Sequence, residues 1–341
     1  RGTMRLSGKI ESIAVFRALQ LGDSLCSVPA FRALRHAFPH AHISLIGLPW
    51  ARTFTHRFKS YFNRFVQFPG FPGLPEQPFS FDSTVRFFRT MRRNPVDLIL
   101  QMHGDVTIIN PIVLLCGARQ YAGYLREENF CPDPDTFMPY PADTNPEIHR
   151  HLALMEFLGI PLQGTHLEFP LVRADYYDFN RLHLSLHRHR YVIIHPGARA
   201  DARLWNPAFF AHLGDMAHDH RLDVVVTGVE SERDITADVI RRMKRSPIDL
   251  TGRTSLGALG VLVKEARLVI ANDTGISHIA DALRTPSVII SLAHDPERWT
   301  PLDRRLHAFI PCPSRECFDE AAGRVEAHLT SGRGFLEPSH R

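Results

Sequence analysis

Residues 267–283, RLVIANDTGISHIADAL, decide the fold. Leu268, Val269, Ile270 and Ala271 form a short apolar run. Asn272-Asp273-Thr274-Gly275 breaks it, and Ile276, Ile279, Ala280 and Leu283 then recur at steps of three and four. That is the pattern of a buried strand feeding a helix through a glycine turn. The first N–H groups of a helix have no intrahelical partner, and the helix dipole adds positive potential there, so the turn is an anion site made of backbone. Thr274, Ser277 and His278 add side-chain donors in the same turn. A plain helix cap at Asp273 or Thr274 is the simpler reading. A cap needs one polar residue, however, and here Asn, Asp, Thr, Gly, Ser and His crowd residues 272–278. Phosphate binding is therefore the reading taken.

The same strand–turn–helix grammar runs outward in both directions. Ser12–Arg17 reads as a first strand, Leu21-Gly22-Asp23 breaks it, a helix follows through Ala30, Leu34 and Phe38, and His42–Gly47 is the next strand. Val96–Gln101 is a further strand ending at His103-Gly104-Asp105, and Glu147–Leu158 is helical. A second series opens with the strand Tyr191–His195, followed by a helix from Pro207 to His220. The strand Asp223–Thr227, helices at 231–244 and 256–266, and the strand Ser287–Ser291 complete it. Alternation of this kind is a parallel α/β sheet, present twice. The reading places an N-terminal Rossmann-like domain at 1–172 and a polar, His- and Arg-rich linker at 173–190. A C-terminal Rossmann-like domain follows at 191–317, with a last helix in 318–341 expected to pack back on the N-terminal half. Ligands of such halves are expected in the cleft between them, at the carboxyl ends of the strands. The proline- and glycine-dense segments Gln67–Pro78 and Cys131–Pro146 are irregular loops.

With 341 residues, 44% apolar and 22% charged, the chain is long enough for two ordinary domains and has a globular composition. No apolar run reaches the length that spans a bilayer. Arg1-Gly2-Thr3 ahead of Met4 carry no signal-peptide pattern. Five cysteines without a tight pairing pattern indicate a reducing compartment, with Cys312 and Cys317 expected as free thiols. The net charge of +4 is concentrated: Arg52, Arg57, Lys59, Arg64, Arg86, Arg89, Arg92 and Arg93 fall in one window opposed by Glu76 and Asp82. A solvated basic face is the plain reading, and a surface for an anionic lipid or sugar the sharper one. No nucleic-acid-binding motif is present.

Three constellations carry chemistry. Asp23, after the first strand, is placed to take a proton from an attacking alcohol, with helix capping as its structural alternative. His195-Pro196-Gly197-Ala198-Arg199 through Arg203-Leu204-Trp205 puts an arginine where a diphosphate oxygen can take two hydrogen bonds. Thr227-Gly228-Val229-Glu230-Ser231-Glu232 offers Glu232, or failing it Glu230, to ribose hydroxyls, unless they merely complement a helix dipole. No G-x-G-x-x-G follows the first strand, and neither Walker A nor H-E-x-x-H occurs. Asp133-Pro134-Asp135 has a D-x-D form but lies between prolines in a loop.

In this order the pieces resemble glycosyltransferase family 9, the ADP-heptose:lipopolysaccharide heptosyltransferases. LGDSLCSVPAFRALRHAFPHAHISLIG, residues 21–47, is similar to the family's N-terminal signature. NDTGISHIADALRTPSVI, residues 272–289, with Asp295-Pro296 and Trp299-Thr300-Pro301, is similar to its C-terminal one. The resemblance spans about residues 10–305 and implies a two-domain GT-B fold, with acceptor on the first half and nucleotide sugar on the second. It implies inverting, metal-independent transfer of a heptose from an ADP-sugar to a hydroxyl acceptor, lipopolysaccharide inner core in the first instance, with no resident cofactor. Asp23 becomes the catalytic base. Gly22, Gly197, Arg203, Glu232, Asp273, Thr274, Gly275, Ile276, Ser277 and His278 become the donor-binding set. Arg203 stands where the family commonly has lysine. Arg57, Lys59, Arg64 and His103 are the acceptor-binding candidates. The implied setting is cytoplasmic, with peripheral contact at the inner membrane surface and no nucleic acid. A non-lipopolysaccharide acceptor, a nucleotide-sugar-binding homologue without activity, and a nucleotide-sugar isomerase or hydrolase are the competing readings.

Overall fold

The computed structural model describes residues 4–104, 106–141, 145–292 and 295–331. Arg1–Thr3, Asp105 at the end of the His103 turn, part of the Cys131–Pro146 loop and the tail beyond Ser331 lie outside the described residues. The chain divides into two compact units, Arg1–His166 and Leu167–Arg341.

The first unit runs β1 (Ser12–Phe16), α1 (Leu21–Cys26), α2 (Val28–Ala37), β2 (His42–Gly47), α3 (Ala51–Arg57) and β3 (Arg64–Gln67). It continues with α4 (Phe81–Arg93), β4 (Leu98–Gln101), α5 (Val106–Cys116), β5 (Gln120–Leu125), β6 (Phe137–Pro139) and α6 (Glu147–Phe157). Its strands are all parallel, in the order β3-β2-β1-β4-β5-β6. Strands covered by helices on both faces need apolar side chains on both, which is why SIAVF and LILQ read as continuous buried runs instead of alternating ones. The expected single helix after Asp23 is two: Leu21, Gly22 and Asp23 are already the first turn of α1, and Pro29 opens α2.

The second unit runs α7 (Arg173–Asn180), β7 (Tyr191–His195), α8 (Pro207–Asp219), β8 (Asp223–Val226), α9 (Arg233–Arg242) and β9 (Ile248–Asp249). Then follow α10 (Leu256–Glu265), β10 (Leu268–Asn272), α11 (Gly275–Ala282), β11 (Ser287–Ser291), α12 (Pro296–Trp299), β12 (His307–Pro311) and α13 (Phe318–Thr330). The order is β12-β11-β10-β7-β8-β9, again all parallel.

Two expectations change here, for the linker segment and for the cysteine pair. The segment read as a linker contains α7, which docks on α10: Ser255 Oγ donates to Asp178 (3.1 Å) and Lys264 Nζ to the Tyr176 hydroxyl (3.1 Å). The last helix buries an apolar face within its own unit. Ala321, Val325 and Leu329 of α13 are buried in the second unit's own core with Phe210, Leu213 and Val288. Cys312 and Cys317 are joined as a disulfide instead of standing as free thiols, because the turn between β12 and α13 brings their Cα atoms to 5.7 Å.

Candidate functional site

In each unit the strand order reverses once, between β1 and β4 and between β10 and β7. The loops leaving those strands diverge to opposite faces and open a crevice at the carboxyl edge.

In the second unit the crevice is held by Asn272, the last residue of β10 and fully buried. Its Nδ2 donates to the Pro196 carbonyl (2.7 Å) and its Oδ1 accepts the Trp205 amide (3.3 Å), so one side chain fixes both ends of the loop after β7. Thr274 caps α11 in an extended conformation (φ −145°, ψ −176°) without using its side chain for the cap. The amides of Gly275 and Ile276, in the first turn, are free of intrahelical bonds. The anion-accepting turn read from sequence is therefore present, but several neighbours serve the scaffold. Asp273 is buried and accepts the Ser291 hydroxyl (3.1 Å), and Ser277 turns its hydroxyl back to the Thr274 carbonyl (2.6 Å). Keeping a carboxylate turned away suits an anion site, since two negative charges would repel. His278 is buried beside Trp299, with ring centroids 6.2 Å apart.

Arg203 stands exposed at the end of a single 3-10 turn, Asp201–Arg203, while Trp205 beside it is fully buried. The turn is braced from the disulfide loop: Trp205 Nε1 donates to the Arg315 carbonyl (3.2 Å) and Arg315 Nη2 to the Ala202 carbonyl (3.1 Å). A Cβ at Gly197 would overlap the Glu232 carboxylate, which would have to move aside. Glu232 accepts the Val229 amide (2.8 Å) and lies 3.9 Å from His195 Nε2, whose Nδ1 meets the Thr227 hydroxyl at 3.0 Å. Burial lowers the His195 pKa, with the Glu232 charge pulling the other way. Glu230 is engaged by Arg233 through two 2.6 Å contacts. His195, which heads the second constellation read from sequence, closes the strand at the reversal.

In the first unit Asp23 is half-buried and its Oδ2 accepts the Gln20 amide (3.1 Å). It thus also caps α1, the alternative weighed above. Gly22 precedes it in the same first turn. Beneath them lies Arg17, which sequence reading passed over. It is 1% exposed, and its Nε and Nη2 reach the Asp23 carbonyl at 3.0 and 2.6 Å while Nη1 reaches that of Met102. One guanidinium thereby ties the loop after β1 to the loop after β4. Its counter-charge is the buried Glu147 (3.2 Å), which also meets Arg150 (3.3 Å) and His151 Nε2 (3.0 Å). Burial, with the Arg17 charge second, brings His151 down to about 4. His103 is buried, accepts the Ala18 amide on Nδ1 (3.3 Å), and is brought to about 3 by burial and by Arg17. It is neutral at working pH, with its proton on Nε2.

The other acceptor candidates are not brought to this edge. α3 carries the chain from the carboxyl edge back to the amino edge, so Arg57 in its last turn, Lys59 after it and Arg64 opening β3 sit at the opposite end from Asp23. Arg126 follows β5, over the Tyr140 ring (4.8 Å), and is an arginine at the carboxyl edge. Among the described residues no group of three or more His, Cys, Asp or Glu side chains is gathered as a metal cage, and no helix is long and apolar enough to cross a membrane.

Comparison with known proteins bears on these edges. The profile of glycosyltransferase family 9 (heptosyltransferase) matches residues 84–322. The lipopolysaccharide core heptosyltransferase OpsX of Haemophilus influenzae is 24% identical over 177 residues, 49% of this chain. The match spans 46% of that protein, so the chain covers about half of this relative's length. Among solved structures, the family 9 glycosyltransferase of Veillonella parvula superposes with TM-score 0.75 at 17% identity, over 94% of this chain and 97% of its own. The ADP-heptose lipopolysaccharide heptosyltransferase II of E. coli superposes at 0.72 and 19%, over 93% and 98%. At such identities the likeness shows the fold, which is GT-B.

Proposed function

The chain belongs to glycosyltransferase family 9, the heptosyltransferases, and on that footing we propose that it moves a heptose, or a related sugar, from an ADP-sugar to a hydroxyl acceptor, with inversion and without a metal. The acceptor of first choice is the lipopolysaccharide inner core, met at the cytoplasmic membrane face, since relatives carry that activity in their names. The observation that carries this reading is Asn272. By locking the β7 and β10 loops together it leaves the α11 amides and the bare backbone of Gly197 along one edge. Such an edge accepts a diphosphate.

The chemistry is a single displacement. The acceptor oxygen attacks the anomeric carbon as Asp23 takes its proton, and the sugar–phosphate bond breaks with its electron pair going to ADP. The growing negative charge is met by the Gly275 and Ile276 amides and by the exposed Arg203, oriented before the reaction begins. Thr274 adds its hydroxyl, and Glu232 receives the ribose. A neutral His103, with Nε2–H as donor, orients the acceptor without competing for the proton.

Incubation with ADP-heptose, with and without delipidated core acceptor, tests this. ADP release that requires acceptor is expected; release without acceptor would mean hydrolysis, and none a binding protein. In Asp23→Asn, turnover should fall roughly a hundredfold or more with ADP affinity within about twofold of wild type. Turnover near wild type in that variant removes Asp23 as the base.

A further inference from the structure

We propose that the outward face of α4 is a docking surface for an anionic lipid bilayer. α4 buries Thr84, Phe87 and Met91 against the core of the first unit. Arg86, Arg89 and Arg93, spaced three and four apart, share the opposite face, and Arg92 flanks it; all four are exposed. Among the described residues none of the four has a carboxylate partner in an ion pair, whereas Arg119 nearby in the chain is held by Asp97 (3.0 Å). Asp82 in the first turn is the acid on the same helix, leaving a net excess of three positive charges over a rod about 20 Å long.

Charge alone describes many solvated helices. What sets this one apart is exposed apolar surface at both of its ends. Phe79 is 47% exposed and Phe81 69% exposed at the amino end. Leu115 of α5, 43% exposed, lies near the carboxyl half, where Arg92 packs against Gly117. Arginines that attract anionic headgroups, flanked by rings and a leucine that enter the headgroup boundary, are the composition of an interfacial helix. A polyanion in solution uses the arginines but gains nothing from the phenylalanines. Arg64, exposed at the start of β3, lines one small cavity with Thr90, Met91 and Asn94, which brings one of the residues expected to bind acceptor close to the end of α4. The proposal does not depend on the transferase reading, because its readout is lipid binding.

Co-sedimentation of the full chain with vesicles of phosphatidylglycerol and phosphatidylethanolamine, against phosphatidylcholine vesicles, is the test. Binding to the anionic vesicles only is expected, weakening as salt rises. Each arginine near an anionic surface contributes roughly fivefold to partitioning, so Arg86→Gln/Arg89→Gln/Arg93→Gln should bind on the order of a hundredfold more weakly. Phe79→Ser/Phe81→Ser should lose binding while keeping all its charge. Both variants alter exposed side chains, so the unfolding midpoint and turnover on a delipidated acceptor should match wild type. Failure of the wild type to bind anionic vesicles, equal binding by the arginine variant, or insensitivity to the phenylalanine substitutions each overturns the proposal; the last result, with RNA displacing the vesicles, would point to a soluble polyanion instead.

Discussion

Replacing Arg17 with lysine asks whether the buried guanidinium is what holds the turn carrying Asp23. The native side chain reaches the Asp23 carbonyl at 3.0 and 2.6 Å, the Met102 carbonyl, and Glu147 at 3.2 Å. Lysine keeps a charge facing Glu147, but a single ammonium on a flexible stem cannot serve carbonyls on two loops and a carboxylate together. Hydrogen bonds to charged groups are worth about 1.5–3 kcal/mol each, so losing two and recovering part of one should destabilise the first unit by about 2–4 kcal/mol. At roughly 2–4 °C per kcal/mol for a unit of this size, its unfolding midpoint falls by about 4–16 °C. Displacing the base by a fraction of an ångström should lower kcat by roughly ten- to a hundredfold, with the donor KM unchanged because the donor edge lies in the other unit. Scanning calorimetry and steady-state kinetics below the transition measure the two effects separately. Wild-type midpoint and wild-type kcat together refute the reasoning. A lower midpoint with unchanged kcat reduces Arg17 to a scaffold residue.

Three further outcomes follow from named contacts. Gly197→Ala pushes a methyl group into the Glu232 carboxylate and should raise the ADP dissociation constant about tenfold, read by calorimetric titration, with the fold intact by circular dichroism. Reducing the Cys312–Cys317 disulfide, or Cys317→Ser, frees a loop of sequence separation 5 whose closure is worth about 2 kcal/mol. Because Arg315 in that loop braces Trp205 and Ala202, the donor KM should rise severalfold on reduction. Burial, with the Asp303 charge second, lifts the Asp281 carboxyl to about 7 from 3.8, so the folded chain holds a proton there that the unfolded chain releases near 4. Stability from this group is therefore lost as pH rises through 7. His307, brought to about 4, works in the opposite sense below 6.5. The stability of Asp281→Asn relative to wild type should accordingly grow from about pH 4 to 7 and then level off, in denaturant titrations.

What could be read without coordinates was local. RLVIANDTGISHIADAL declares strand, turn and helix because its periodicity changes within one stretch, and the structure has β10 and α11 there with the amide-lined turn between. YVIIH and DVVV are legible for the same reason. The long-range pairings were not. Arg17 and Glu147 are 130 residues apart, and no spacing rule announces that a strand-end arginine will be neutralised by the first acid of α6. The direction of travel was missed too. Arg57, Lys59 and Arg64 are acceptor candidates by charge, but a parallel sheet sends each helix back to the edge opposite Asp23. Asp273 and Ser277 show what one-dimensional spacing leaves out: a polar residue of the turn also serves its shape, here through the Ser291 hydroxyl and the Thr274 carbonyl.

The two edges solve one geometric problem with different chemistry. Each reversal of strand order leaves two loops diverging, and each is closed by one buried polar side chain, Arg17 in the first unit and Asn272 in the second. The difference follows from what each edge must hold. Beneath Asp23 a guanidinium serves the carbonyls of two loops at once, and Glu147 keeps it from being an unpaired charge in the core. Beneath a diphosphate site, an added cation would need its own buried acid, and that acid would oppose the ligand. An amide supplies a donor to Pro196 and an acceptor to Trp205 with no net charge, and leaves the α11 dipole as the field the anion meets. An aspartate at position 272 would fill the same volume, yet it would face the Pro196 carbonyl with a lone pair instead of a hydrogen and bring a negative charge under the phosphates. On the proposed reading, the choice of amide over carboxylate there keeps a charge that would oppose the diphosphate out of the turn.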